Sequence, residues 1–433
     1  MLTHETPTRG SPAYANRHLT IVWLFVCCIL AAGYHLYIVA KTLAPLRDGS
    51  AWSVVFPDFM VFYAAGPALH SGGLKLVFDA RAFTTFQSAF FHAMLDGPIR
   101  FERPWLYPPT SLMLALPLAL LPFVTSALIV QASGMIALWL ALGRRTLATL
   151  ALLSSSAFCL TFLAGQNVAL SAACMIGGVR LLDRAPIWAG ILFALLTLKP
   201  HMFILVPIAL IAARAWRALA ACVVTASALV GLSLIAFGVD GWRWWLQAGN
   251  GPSRMLSSSM IDNYGIQMGS VLASVRIAGG STTLAWSAQL IAAAVAAAAT
   301  YAVFARRDHS SDGYCVARRA VALTAATLLA VPYWMNYDLL IPCAAIGLTA
   351  MQRLTRGGIQ TLRNGEALTW TMVWLLPLPM LMINTIGLPI APLVVGGALA
   401  IASAYGERIG TSEALINRAA LSVWHGVSRA NVN

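Results

Sequence analysis

Apolar residues in this chain come in long blocks separated by short polar punctuation. Runs with little or no charge cover about 19–40, 123–143, 146–163, 167–182, 186–198, 201–214, 217–237, 283–305, 318–332, 337–351, 368–385 and 389–405. A helix that crosses a bilayer needs roughly 20 mostly apolar residues, and helices satisfy their own backbone groups where no water is present. The pattern therefore predicts an all-α, polytopic membrane bundle of about 12 crossings, the first at Leu19–Ala40. That first run is longer than a signal-peptide core and reads as an uncleaved anchor. Several later runs are only 13 to 15 residues long, short enough to dip in and return. A further stretch, Thr110–Leu121, is bracketed by Pro109 and Pro122 and broken by Pro117, and reads as a kinked or half-inserted helix.

Charge sets the sidedness. With one crossing per run and residues 1–18 in the cytoplasm, the cytoplasmic side collects Arg9, Arg17, Arg144, Arg145, Arg180, Arg184, Arg214, Arg217, Arg306, Arg307, Arg318, Arg319, Arg353, Arg356, Arg363, Arg408, Arg418 and Arg429. That is most of the basic residues, as the positive-inside rule requires. Counting Thr110–Leu121 as a full crossing would move most of the later arginine pairs outside. The transmembrane domain then spans 19–405, with a cytoplasmic tail at 406–433 and two long outer loops at about 41–122 and 238–282. The first loop mixes charge with Trp52, Phe56, Phe59, Phe62, Tyr63, Phe90, Phe91 and Trp105, which suits amphipathic helices lying in the interface. The second carries Trp242, Trp244 and Trp245, residues typical of a membrane surface.

Composition strengthens the membrane reading. Hydrophobic residues make up 59% of the 433 and charged ones 10%, against roughly 25% charged in a soluble domain, and the mean hydropathy is +0.76. The net charge of +13 does not point to nucleic acid, because the basic residues are scattered between apolar runs without a stripe or an aromatic platform. Six of the seven cysteines lie inside apolar segments and none forms a CxxC pair, so they read as small buried hydrophobes.

An ionisable group in or beside the membrane is costly and so marks a candidate site. Asp58 stands alone among apolar and aromatic neighbours, where a carboxylate's pKa rises and a base becomes available. Its plain alternative is a helix N-cap after Pro57. Lys199, in Leu198-Lys199-Pro200-His201, is one of three lysines beside 25 arginines and sits at the outer end of a run. A compact cation there suits a phosphate, with His201 beside it; the alternative is a lysine snorkelling to the interface. Tyr107-Pro108-Pro109, Gly165-Gln166-Asn167 and Pro332-Tyr333-Trp334-Met335-Asn336-Tyr337-Asp338 also fall at outer ends. Each taken alone reads as ordinary helix punctuation, yet all share a side with Asp58 and Lys199. Asp262, Asn263, Gln267 and Arg276 of the second loop are further candidates for a polar substrate. The sequence has no P-loop, no GxGxxG, no HExxH and no carboxylate cluster for a metal, so neither a metal nor another cofactor is expected. It also has no clear internal repeat, which counts against an inverted-repeat transporter. A lipid or sugar transporter or flippase, with its charges at mid-membrane, stays as the alternative.

In order, Asp58-Phe59-x-x-Phe62-Tyr63-Ala64-Ala65-Gly66, Gly72-Gly73, Phe78-Asp79, Tyr107-Pro108-Pro109, Pro117-Leu118, Leu121-Pro122, Gly165-Gln166-Asn167, Asp183-Arg184, Ala189-Gly190, Lys199-Pro200-His201 and Tyr337-Asp338 resemble glycosyltransferase family 87. These are the polyprenol-phosphate-sugar-dependent, mannosyltransferase-like proteins of the GT-C superfamily, and the resemblance runs over about 50–350. It implies a GT-C bundle in the plasma membrane with an extracytoplasmic active site. The partners it implies are a polyprenyl-phosphate sugar donor and a glycolipid or polysaccharide acceptor. By resemblance Asp58 is the base for an inverting transfer, with Lys199 and His201 near the donor phosphate. Tyr63, Tyr107, Gln166, Asn167, Gln267, Tyr337 and Asp338 are then expected around the substrates.

Overall fold

The structure, a computed structural model, describes residues 56–92, 102–247, 264–306, 313–356 and 364–404 apart from Leu378, with a few isolated positions elsewhere. The anchor expected at Leu19–Ala40, the two expected cytoplasmic tails, and Asp262 and Asn263 lie outside the described stretches. Among the described residues every extended element is helical, and the one β-type contact is an isolated antiparallel bridge between Met268 and Met335.

Three described helices are long and apolar enough to cross a membrane: Phe123–Ala141, Trp216–Gln247 and Thr282–Ala305. A fourth span results if Glu366–Leu375 and Pro379–Thr385, bent by 87°, count as one. Shorter apolar helices fill the remaining runs, including Val168–Leu181, Pro186–Leu198, Pro200–Ala212 and Ala391–Ala404. Several single runs resolve into two pieces. Within 146–163, helix Thr146–Leu153 stops at Ser154, and Ser155 caps the next helix, Ser156–Ala164, by accepting from the Phe158 N–H. The run at 201–214 begins with a 3₁₀ turn, Pro200–Phe203, before helix Val206–Ala212.

The stretch after Pro109 forms helix Pro109–Leu118, ten residues long with Pro117 inside, short as expected. The segment expected as the first long loop supplies two helices. Pro57–Phe78 is broken at Gly73, and Ala80–Phe90 buries Ala80, Phe83, Thr84 and Gln87. That i, i+3, i+4, i+7 spacing puts one face on the protein, while Arg81 and Thr85 stay outside.

Small residues let the central helices approach closely. Val168–Leu181 is buried almost all round through Ala169, Ala172, Ala173, Cys174, Gly177 and Gly178. By contrast Val224, Ile235, Leu290 and Leu393 are exposed on the flanks, where a bilayer rather than water suits them. The two ends of the bundle differ in charge. Helix Val168–Leu181 begins beside Gln166 and ends with Arg180, which donates to the carbonyls of Leu140 and Ala141 at the end of helix Phe123–Ala141. Helix Gly313–Ala330 carries Arg318 and Arg319 near its start, and Trp334 and Tyr337 lie past its end.

Candidate active site

Asp58 owes its position to a strained entry and a tight turn. Phe56 caps helix Pro57–Phe78 in the left-handed region (φ 61°), and its N–H donates to the Leu163 carbonyl at 2.9 Å. On the facing segment, helix Ser156–Ala164 ends at Gly165 with φ 73°. A Cβ at Gly165 would stand 2.7 Å from Phe59 Cβ and 2.9 Å from Phe56 Cβ, so only glycine lets the two turns meet. The next residue, Gln166, is thereby set against the first turn of the Asp58 helix. Gln166 Nε2 donates to Asp58 Oδ2 at 2.8 Å and to the Tyr337 hydroxyl at 3.1 Å, while its own carbonyl accepts from Gln131 Nε2 at 3.0 Å. Asp58 is therefore not the helix cap; it lies in the first turn with its side chain engaged elsewhere.

These groups wall a cavity of about 490 Å³. Asp58, Tyr107, Gln166, Gln267 and Tyr337 line it, so five of the expected site residues meet there. Burial raises the Asp58 carboxyl above the ordinary carboxylate range; the Gln166 hydrogen bond, Arg103, Tyr337 and Lys199 oppose that rise and favour the charged form. Burial likewise lifts the Tyr107 hydroxyl well above its usual value, so it stays a neutral hydrogen-bonding group.

The segment around 265–270 closes one side. Gly269 N–H donates to the Trp334 carbonyl at 3.1 Å, and any Cβ at Gly269 would collide with the Trp334 ring. Asn384 Nδ2 donates to the carbonyls of Ile266 and Met268 at 2.9 and 3.1 Å, which pins the 3₁₀ turn Gly265–Gln267. Tyr264, on the cavity wall, donates to the Glu102 carbonyl at 3.1 Å and so ties its segment to the one carrying Glu102 and Arg103.

The other expected residues stand elsewhere. Lys199 is not on the cavity wall: Nζ pairs with Asp338 Oδ1 at 2.7 Å, both side chains are buried, and the Tyr337 ring lies 5.7 Å from the ammonium. Asp338 Oδ2 accepts from the Met335 N–H at 2.8 Å, so this carboxylate is spent on the turn that presents Tyr337. His201 pairs through Nδ1 with the Tyr333 hydroxyl at 2.9 Å. Tyr63 donates to the Leu121 carbonyl at 2.7 Å amid Phe90, Phe91 and Phe123. Asn167 opens helix Val168–Leu181, and Arg276 donates to the Gly280 carbonyl at 3.0 Å in its own turn. Neither of these lines the cavity.

Sequence reasoning missed Glu102, Arg103 and Tyr264, all of which line the cavity, as does Asn336 from the 332–338 stretch already singled out. The available signal was position: Glu102-Arg103-Pro104-Trp105 directly precedes the Tyr107-Pro108-Pro109 stretch already singled out.

The sequence profile of glycosyltransferase family 87 matches residues 105–332, just over half of the 433. The chain belongs to glycosyltransferase family 87. It is a glycosyltransferase, and its apolar helices and family together make it a membrane protein; the transporter alternative is not favoured. No curated protein and no solved structure matches the chain. The matched segment of this family 87 chain includes Tyr107, Gln166 and Gln267, while Asp58 and Tyr337 come from either side of it. Their convergence on one cavity is a property of the fold rather than of the matched segment.

Proposed function

We propose that this family 87 enzyme moves a sugar, mannose in the best-supported reading, from a polyprenyl-phosphate carrier to an acceptor hydroxyl at the extracytoplasmic end of a multi-pass bundle of GT-C type in the plasma membrane. The acceptor is a glycolipid or polysaccharide. Asp58 takes the proton from the acceptor O–H as its oxygen attacks the anomeric carbon from the face opposite the leaving group. The C–O bond to phosphate breaks with inversion, and the polyprenyl phosphate departs with the electron pair. Gln166 orients the carboxylate through Oδ2, and Tyr337 supports that contact.

The observation that carries this reading is a carboxyl group raised by burial, held by the neutral groups of Gln166 and Tyr337 and lining a cavity in a glycosyltransferase. Segregation of charge supports the sidedness: the site lies at the opposite ends of the same helices that carry Arg180, Arg318 and Arg319. The test is purified chain in nanodiscs with radiolabelled polyprenyl-phosphate mannose and a panel of acceptors. Transfer by wild type, its loss in Asp58→Asn, and an inverted anomeric linkage are expected. Transfer only from a soluble sugar nucleotide would overturn the proposal.

A further inference from the structure

Resting on that reading of the reaction, the geometry points to Arg103 as the residue that binds the carrier phosphate and meets the charge left on it when the sugar departs. Two cations stand near Asp58, and they differ in what they have left to give. Lys199 is neutralised by Asp338 and is absent from the cavity wall. Arg103 lines the cavity. Among the described residues no carboxylate lies within ion-pair distance of its guanidinium, whose contacts are the Pro57 carbonyl at a long 3.4 Å, the Met60 sulfur at 3.7 Å, and the Tyr264 hydroxyl. A guanidinium carries five donors in a planar fork suited to phosphate oxygens, and most of them are not used by these contacts.

The backbone of Arg103 is fixed from behind. Its N–H donates to Thr84 Oγ1 at 2.8 Å, and its carbonyl accepts from Gln87 Nε2 at 2.8 Å. Thr84 and Gln87 are buried on the inner face of helix Ala80–Phe90. The first outer loop is thus stapled so that a charged side chain at this position reaches the cavity without ordering the chain anew, the form of preorganisation that electrostatic catalysis relies on. The charge of Arg103 also acts on Asp58 more strongly than that of Lys199 does. Glu102 lies on the same wall, so a directed fork, rather than a diffuse field, must choose the anion's place.

The chemistry suits that place. A sugar-linked carrier phosphate is a diester with one negative charge, and the departing monoester carries nearly two. A cation that binds both, and the second more tightly, lowers the barrier as well as the binding energy. Replacing Arg103 should therefore reduce kcat, not only raise KM.

The experiment uses the full chain in nanodiscs as wild type, Arg103→Gln, Arg103→Lys and Asp58→Asn. Binding of polyprenyl monophosphate, inorganic phosphate and phosphatidylglycerol is measured without turnover, and transfer is measured separately. Arg103→Gln is expected to bind polyprenyl monophosphate roughly 10- to 100-fold more weakly, the range of a charge-assisted hydrogen bond, and Arg103→Lys to recover part of it. Asp58→Asn is expected to keep carrier binding and lose transfer. Unchanged carrier binding in Arg103→Gln overturns the assignment, whatever Asp58→Asn does. An equal loss for phosphatidylglycerol overturns it too, because the effect would then be one of bilayer charge; an equal loss for inorganic phosphate supports a phosphate site that does not read the lipid tail. Transfer surviving in Asp58→Asn sinks the base, yet leaves the phosphate assignment to the binding data. Should Arg103→Gln not fold, phenylglyoxal labelling of wild type decides: protection of Arg103 by polyprenyl monophosphate supports the site, and no protection overturns it.

Discussion

Two aspartates lie near each other in this protein and have opposite fates. Asp338 is closed: one oxygen holds Lys199 at 2.7 Å and the other holds the Met335 N–H at 2.8 Å. Asp58 is open: its hydrogen-bond partners are the neutral Gln166 amide and Tyr337 hydroxyl rather than a cation, and it lines a cavity. Both lie beside Tyr337, which bridges the two clusters through its hydroxyl and its ring. A buried carboxylate paired with a cation is a fastener, whereas one held only by neutral donors beside a cavity has the setting a reagent needs. Their contrast shows how two residues singled out separately in the sequence, Lys199 and Asp338, can turn out to hold each other.

The largest effect should come from the open member. Asp58→Asn keeps the shape and removes the base, so transfer is expected to fall roughly 10²- to 10⁴-fold, the usual worth of a general base. In wild type, kcat/KM should decline as pH drops through the raised Asp58 pKa, an acid limb lying above the ordinary carboxylate range. Stability should move the other way. Above its raised pKa the folded state carries a charge it disfavours, and that cost disappears below the unfolded pKa. Asp58→Asn should therefore melt above wild type at neutral pH, with the gap closing on acidification. A variant that loses transfer and also melts lower would show Asp58 to be a fastener as well.

The closed member should show the mirror image. Lys199→Met leaves Asp338 charged and buried without its partner, a loss of about 3–5 kcal/mol in other proteins. The expected result is a large drop in melting temperature and, because Asp338 holds the turn carrying Tyr337, a secondary loss of transfer. Adding Asp338→Asn should restore much of the stability, since removing both charges also removes the uncompensated one. If Lys199→Met melts like wild type but loses carrier binding, the lysine is the phosphate ligand after all and the comparison fails.

Gly165 controls how the open cluster is assembled. Gly165→Ala forces a Cβ against Phe59 and Phe56 at a backbone angle of 73°, a strain of about 1–3 kcal/mol. Because the clash would push Gln166 from Asp58, transfer should fall and the acid limb should shift upward as the carboxylate loses its donor. A simple drop in stability with an unchanged pH profile would mean that Gln166 keeps its place.

How much of this was legible beforehand depends on what each residue type can say alone. Asp58, Tyr107, Gln166, Gln267 and Tyr337 were visible because polar or ring-hydroxyl groups stood in or beside apolar runs, and burial at such places needs a reason. The pairing of Lys199 with Asp338 was not visible, because 139 residues separate them and nothing local marks the partner. Arg103 was missed for the opposite reason. With Arg100 and Glu102 around it, it reads as a solvated loop, and only Thr84 and Gln87 from a neighbouring helix turn that loop into a wall. The apolar runs announced a membrane bundle but not every internal break: Ser154-Ser155 divides one run, whereas the non-helical Gly238, at φ 64°, kinks the helix where the run 217–237 ends, before a second piece to Gln247. Hydrophobicity reports the solvent a segment prefers; hydrogen-bonding side chains decide where it bends.

The smallest expected effect lies at the arginine-rich end, where an ion pair resembles that of Lys199 in distance but not in surroundings. Arg319 Nη1 meets Asp183 Oδ2 at 3.1 Å, yet the Asp183 side chain is 63% exposed while that of Arg319 is 9% exposed. Water already solvates the acid, and the buried guanidinium also lies over the Phe304 ring, 5.6 Å from its centroid. Asp183→Asn should therefore cost less than about 1 kcal/mol, and less still at high salt, where an exposed pair is screened. Thermal unfolding at low and high ionic strength, with transfer measured in parallel, reads this directly. A loss as large as that of Lys199→Met, or any change in transfer at matched stability, would break the rule that completeness of burial, rather than the presence of a pair, separates fasteners from decoration in this bundle.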